Sequence, residues 1–415
     1  MSTSRATTGR KQAGRPGNRI RSWVLAWLLG ISAATPAAAT SLDYTGQTPE
    51  GLVGNGRTVV RVQHERFQFH EGGDARGRLL LRLDGRELDL TAAGRRSARF
   101  FPGGVQYRLQ VGDVRVEVLH GATEDAGYVM AVRVHAGHRR ADLALDAQGT
   151  PALVMQPGQA QRRGSGAHEW LVRTTPPVAT PQATTGASFD AWRERFEQPY
   201  RSGLLLRTPN ARVDRAVPFN RFLLDLGFNG RLHVCELFRW RDVWSRDLGS
   251  GLAPGALLSG RFDAARRTVA YDLERHARAD PRGLKVTEDP SQGGSAEGLA
   301  WLTQAVWRDY LMTGDRPFLQ RAAATLRPWL QAWLDRDPDG RGLLVDDTEW
   351  MDHSRFFLFP DGARVLYSNA LFTGLLGTFA AIERELGDAA AAQRLAGLRQ
   401  RFVAGLDALG TGAEG

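Results

Sequence analysis

A change of period near residue 180 constrains this chain more than any other feature. Before it, apolar and polar residues alternate; after it, apolar residues recur at helical spacing. Side chains alternate faces along a strand but return to one face every three to four residues on a helix, so the two halves build different layers. RGRLLLRLDGRELDL at 76–90 is two runs broken by Asp84-Gly85, and VQYRLQVGDVRVEVLHG at 105–121 repeats the device at Gly112-Asp113. Such dipeptides favour tight hairpins. Residues 41–175 therefore predict stacked antiparallel sheets, a β-sandwich rather than a barrel.

PPVATPQATTGAS at 176–188 reads as a linker, and FDAWRERFEQPY after it as a short helix ended near Pro199, so 176–204 forms the connection. From 205 onward the chain predicts helices. Pro218 either kinks the first of these or marks a second start. Clearer helices fall at 261–278, 295–315, 316–336, 366–386 and 388–408, with Ser295 a plausible N-cap. About seven helices and no βαβ pattern give an all-α second domain. The segments 229–260, 279–294 and 337–365 predict irregular loops, where sites are commonly carried.

Net charge is +9, but residues 1–39 hold Arg5, Arg10, Lys11, Arg15, Arg19 and Arg21 and no acid. Six of the nine excess charges are thus local, and no nucleic-acid footprint is needed to explain the rest. WVLAWLLGI at 23–31 follows that basic stretch and SAATPAAA follows it, the layout of a secretory signal peptide cleaved near Ala37–Ala39. A periplasmic or secreted protein is expected, with no stable membrane span after cleavage. Cys235 is the single cysteine, so no intramolecular disulfide forms.

Three polar clusters stand out. RWRDVWSRDLGS at 239–250 places Arg241, Asp242, Arg246 and Asp247 beside Trp240 and Trp244. Guanidinium and carboxylate groups bind hydroxyls, and indole faces suit the C–H side of a sugar ring. An amphipathic surface turn held by ordinary ion pairs accounts for the same residues. DDTEWMDHSRFF at 346–357 holds Asp346, Asp347, Glu349 and Asp352 with His353 and Trp350. No EF-hand or HExxH spacing fits, but a carboxyl beside Trp350 and Met351 has the apolar surroundings that raise an acid's pKa. A solvated acidic loop is the plain alternative. Glu297, with Trp301, heads a helix, where it is either a site residue or a capping acid.

Taken in order, VWSRDLGSGL, SAEGLAWLTQAVWRDYLMTGD and DTEWMDHSRFFLFPDGARVLYSNAL resemble three segments of the glycogen-debranching and related α-glucosidase domains. These are the WGRD segment, the (S)AD-x-x-x-W helix ending in Tyr and TGD, and the TWMDA loop followed by an NAL helix. The resemblance covers roughly 205–408 and is similar in order to amylo-α-1,6-glucosidases, processing α-glucosidases and mannosylglycerate hydrolase-like enzymes. It implies an N-terminal antiparallel β-sandwich followed by a partial (α/α)6 toroid over 205–415. It also implies hydrolysis of α-glycosidic bonds in gluco-oligosaccharides or glycogen-like glucans with inversion, without metal or organic cofactor. Asp352 would be the general acid. Arg246 and Asp247 would bind hydroxyls of the non-reducing residue, with Glu297 in the same sugar-binding set. Trp244, Trp301 and Trp350 would shape the pocket, with Asn369 supporting it.

Ser245 stands where that motif has Gly, Glu297 where it has Asp, and His353 where Ala is common. An inverting glycosidase also needs a second carboxylate about 6.5–9.5 Å from the acid. The resembling families take it from late helices, and this chain ends at Gly415 after about seven of twelve helices. The expectation is a C-terminally incomplete toroid whose base this chain lacks. Two other functions stay open: a non-catalytic carbohydrate-binding or truncated envelope protein, and a polysaccharide lyase using Tyr367 or His353 with Arg355. The expected partner is an oligosaccharide or polysaccharide.

Overall fold

The computed structural model describes residues 41–46, 48–55, 58–69, 76–123, 127–148, 153–156, 167–174, 188–201, 205–234, 242–279, 281, 296–345 and 364–410. The proposed signal peptide, most of the linker, Ser295, Cys235, Trp240, Arg241 and the loop carrying Trp350, Asp352 and His353 lie outside them. None of the described helices is long and apolar enough to cross a membrane.

The described strands are β1 (Leu42–Thr45), β2 (Gly51–Gly54), β3 (Val59–Gln63), β4 (Arg66–Phe69), β5 (Arg76–Leu83), β6 (Arg86–Leu88), β7 (Arg95–Phe101), β8 (Gly104–Val111), β9 (Val114–Thr123), β10 (Gly127–His135), β11 (Ala141–Gln148), β12 (Leu153–Gln156) and β13 (Ala167–Thr174). They form two antiparallel sheets, one ordered β1-β7-β8-β9-β10-β13-β12 and one ordered β11-β5-β4-β3-β2 with β6 beside β5. Both predicted turns are present: Asp84 and Gly85 take φ of 49° and 81°, and Gly112 takes 58°. Alternate residues such as Val60, Val62, Leu79, Leu81, Val116 and Val118 are buried between the sheets. The period-2 pattern is thus the signature of a sandwich core.

α1 (Phe189–Glu197) is capped by Ser188, whose Oγ accepts from Ala191 N at 3.3 Å. It lays Phe189, Trp192 and Phe196 on the outer face of the larger sheet, against Leu119, Val129 and Ala131. α2 (Ala211–Leu226) begins at an Asn210 cap and runs through Pro218 without a second start. Pro218 is itself buried, so packing retains a helix that its missing N–H weakens.

Three helical hairpins follow. A single turn, Ser245–Asp247, passes into a π-helical segment, Leu248–Leu252, and then into α3 (Ala253–Leu258), which pairs with α4 (Phe262–Arg278). α5 (Ala296–Thr313) pairs with α6 (Arg316–Leu334), and α7 (Leu366–Leu386) with α8 (Ala389–Gly410). α4 and α6 each bury one stripe, as in Phe318, Ala322, Leu326, Trp329 and Trp333 of α6. α7 is buried on several sides and packs on α5, which in turn packs on the 245–258 run. The first helix of each hairpin thus forms an inner layer and the second an outer one. The helicity of 245–258 corrects the loop expected over 229–260. LGSGL carries no apolar period and two glycines of low helix propensity; its contacts with α5 hold it.

Candidate functional site

The N-terminal ends of the three inner helical runs meet. Trp244 precedes the first turn in extended conformation (φ −107°, ψ 128°), and its carbonyl accepts from Leu248 N at 2.8 Å. Ser245, Arg246 and Asp247 form that turn, Glu297 lies in the first turn of α5, and Tyr367 in the first turn of α7. Arg246 Nε stands 3.8 Å from Glu297 Oε1. Tyr367 donates its hydroxyl to the same Oε1 at 2.7 Å. One buried carboxylate therefore joins a cation from the first run to a phenol from the third. The positive end of α5 also favours its charge.

Burial, then the hydrogen bond and charge of Glu297, push the Tyr367 phenol up to about 12; Trp301 and Arg246 beside it act in the opposite direction. Tyr367 is thus a donor held neutral, and not a base poised near neutral pH. Trp244, Arg246, Asp247 and Trp301 are all half-buried, leaving part of each side chain at the surface of the cluster.

A second set of contacts fixes the Arg246 turn from beneath. Ser245 Oγ donates to Asp272 Oδ2 at 2.6 Å. Asp272, on α4, is fully buried; its Oδ1 faces Arg275 Nη1 at 3.8 Å and His276 Nδ1 at 3.9 Å. Arg275 Nη1 also donates to the Val243 carbonyl at 2.6 Å, and Val243 N donates to Asp242 Oδ1 at 2.7 Å. The approach to the turn is therefore tied to an outer helix by charge-assisted bonds. Asp242 braces the loop, and Ser245, the departure from the resembling motif, supplies the donor that a glycine lacks.

Gly249 lets the π segment touch α5. A Cβ there would lie 2.1 Å from the Trp301 carbonyl oxygen. Its own carbonyl accepts from Arg308 Nη1 at 2.7 Å. π-helical segments inside α-helices recur at functional sites, and this one begins directly after Asp247.

Asn369 is placed differently from a sugar ligand. It is fully buried, its Oδ1 accepts from Leu344 N at 2.6 Å, and its Nδ2 donates to the carbonyls of Leu344 and Val365 at 3.2 and 2.9 Å. Its amide anchors the backbone of Leu344 and Val365, on the two sides of the 346–363 segment. Asp352 and Trp350 belong to that segment, outside the described residues.

Asp272 and Arg275 carry no motif in the sequence. The signal is present as an acid on the apolar stripe of an amphipathic helix, among Thr268, Val269, Leu273 and His276. A charge on a core-facing position needs a partner.

No protein-family model matches the chain, and no curated protein sequence does. Solved structures match by shape. A bacterial glucoamylase complexed with acarbose superposes with a TM-score of 0.52 over 87% of this chain and 70% of its own length, at 10% identity. The fold is glucoamylase-like. At that identity the shared property is the sandwich followed by the helical toroid. A provisionally named kojibiose phosphorylase from the human microbiome gives a TM-score of 0.47 at 8% identity, over 86% of this chain and 65% of its own.

Proposed function

We propose that the chain binds the non-reducing end of an α-linked gluco-oligosaccharide where the three inner helices meet, and hydrolyses the adjoining glycosidic bond with inversion. The observation that carries this reading is the Arg246–Glu297–Tyr367 cluster at that junction, flanked by Trp244 and Trp301. Hydroxyls present donors and acceptors together, and the cluster offers a guanidinium, two carboxylates counting Asp247, and a neutral phenol.

Asp352 is the proposed general acid, donating to the leaving oxygen while water, giving its proton to a second carboxylate, attacks the anomeric carbon from the opposite face. The base is not assigned to Glu297, because its Oε1 is already engaged by Tyr367 and lies beside Arg246. Arg246 and Asp247 hold hydroxyls more tightly as the ring flattens, which lowers the barrier rather than only KM. No step requires a metal. Tyr367 as a lyase base is disfavoured by its raised pKa. We place this activity in the periplasm or outside the cell, on the signal-peptide layout of residues 1–39.

Anomer-resolved NMR of a maltooligosaccharide digest tests the reading. It expects the β-anomer to appear first and then mutarotate. An α-anomer, an unsaturated product, or binding with no turnover overturns it; the last outcome marks a carbohydrate-binding protein.

A further inference from the structure

We infer that the outer face of the smaller sheet is a second carbohydrate site, one that takes an acidic saccharide chain. This does not rest on the hydrolytic reading. Strand register sets two cross-strand rows on that face. Gln148, Arg76, Gln68 and Arg61 face one another in sequence across β11, β5, β4 and β3, and Asp146, Arg78, Arg66 and Gln63 form the neighbouring row. All eight point away from the core, and with Glu50 they border a groove of about 480 Å³. With strands about 4.8 Å apart, each row spans roughly 14 Å.

Three features separate this face from ordinary sheet decoration. Arg66 and Arg78 sit directly opposite each other, like charges whose repulsion Glu65 and Asp146 relieve from one side each and an anion lying across both would relieve further. Arg76 makes no ion pair among the described residues, while Arg78 is held by Asp146 at 3.3 Å, Arg66 lies 3.4 Å from Glu65 and Arg61 lies 3.6 Å from Glu50. The floor is shaped by Gly77, where a Cβ would meet the Phe67 ring at 2.4 Å, so the ring closes the core beneath the groove.

Chemistry selects the ligand class. The first row alternates amide and guanidinium, which matches a chain alternating hydroxyls with carboxylates. Guanidinium forks take carboxylate oxygens in pairs, and glutamine amides both donate to and accept from hydroxyls. Single-stranded nucleic acid needs aromatic platforms, and the only aromatic among the described residues of the groove, Phe67, is buried. Four guanidiniums against two carboxylates suit a sparse acid pattern better than a phosphate on every unit.

The test is calorimetric titration of the whole chain with a short linear oligogalacturonate at low salt. Binding is expected, weakened at least about tenfold by Arg66→Gln with Arg76→Gln. Arg95→Gln with Arg394→Gln removes the same charge elsewhere and is expected to change affinity by less than about twofold. Arg246→Ala should leave it unchanged, which separates this site from the pocket of the proposed hydrolysis. Unaltered thermal unfolding of the double variants shows that the fold is kept. The inference is overturned if oligogalacturonate does not bind, if both double variants weaken it equally, if a neutral gluco-oligosaccharide displaces it, or if a single-stranded oligonucleotide binds the same face more tightly.

Discussion

Ser245 donates its hydroxyl to the buried Asp272 across 2.6 Å, and this bond ties the turn bearing Arg246 and Asp247 to an outer helix. Removing the hydroxyl leaves a buried carboxylate oxygen without its donor. Ser245→Ala is expected to cost about 1–3 kcal/mol of stability. Asp272→Ala should cost at least as much, since it also removes the carboxylate that faces Arg275. A double-mutant cycle read by urea unfolding should give a coupling of about 1 kcal/mol or more between the two sites. Additive losses would mean that the bond does not act as a unit.

Gly249 supplies a second prediction. Gly249→Ala drives a methyl against the Trp301 carbonyl and should destabilise the protein by about 1–3 kcal/mol. At Gly251, two residues on, an added methyl would meet nothing within 4 Å, so Gly251→Ala should be neutral or stabilise by up to about 1 kcal/mol. Thermal unfolding of the pair separates close approach from helix propensity.

Tyr367→Phe removes the donor to Glu297 while keeping the ring. Affinity for a gluco-oligosaccharide should fall roughly tenfold, the usual loss when a hydrogen bond to a charged group goes. The wild type should also lose stability above pH 10. The unfolded phenol ionises there, whereas the folded one stays protonated until about 12, so unfolding releases a proton in that window. Tyr367→Phe should show a smaller alkaline loss.

Acid acts through two buried histidines. His120 Nε2 lies 2.8 Å from the His64 carbonyl and must donate to it, so Nδ1 accepts from the Tyr128 hydroxyl at 2.8 Å. Burial holds His120 and His233 down to about 4. Between the ordinary value of 6.5 and about 4, the unfolded chain takes up protons that the folded chain refuses. Stability should therefore fall as pH drops through that window, by about 2 kcal/mol per histidine at pH 5. Urea midpoints at pH 7 and 5 check this, and His120→Gln should narrow the difference between them.

Much of this architecture is legible from local chemistry. Asp84-Gly85 forces a hairpin wherever it falls between alternating runs, and the helix predicted at 366–386 has those bounds in the structure. The helical run after Trp244 is hidden because its order comes from α5 pressing on Gly249, a contact with no local signature. Within the site, Arg246, Glu297 and Trp301 are marked by type and come together at one junction. Their shared partner Tyr367 reads in the sequence only as a base, and Asp272 only as an acid misplaced on an apolar stripe, because what defines both is a contact made from another helix. Asn369 reads as a support for the pocket, and its amide serves the Leu344 backbone.

The central claim is that the Arg246–Glu297–Tyr367 junction is a sugar subsite. Calorimetric titration of the wild type and of Arg246→Ala with an α-1,4-linked gluco-oligosaccharide tests it most directly. The account predicts that Arg246→Ala weakens binding by about 10- to 100-fold in a protein that still unfolds cooperatively, the range for a hydrogen-bonded charge. Equal affinity in the two proteins would contradict it.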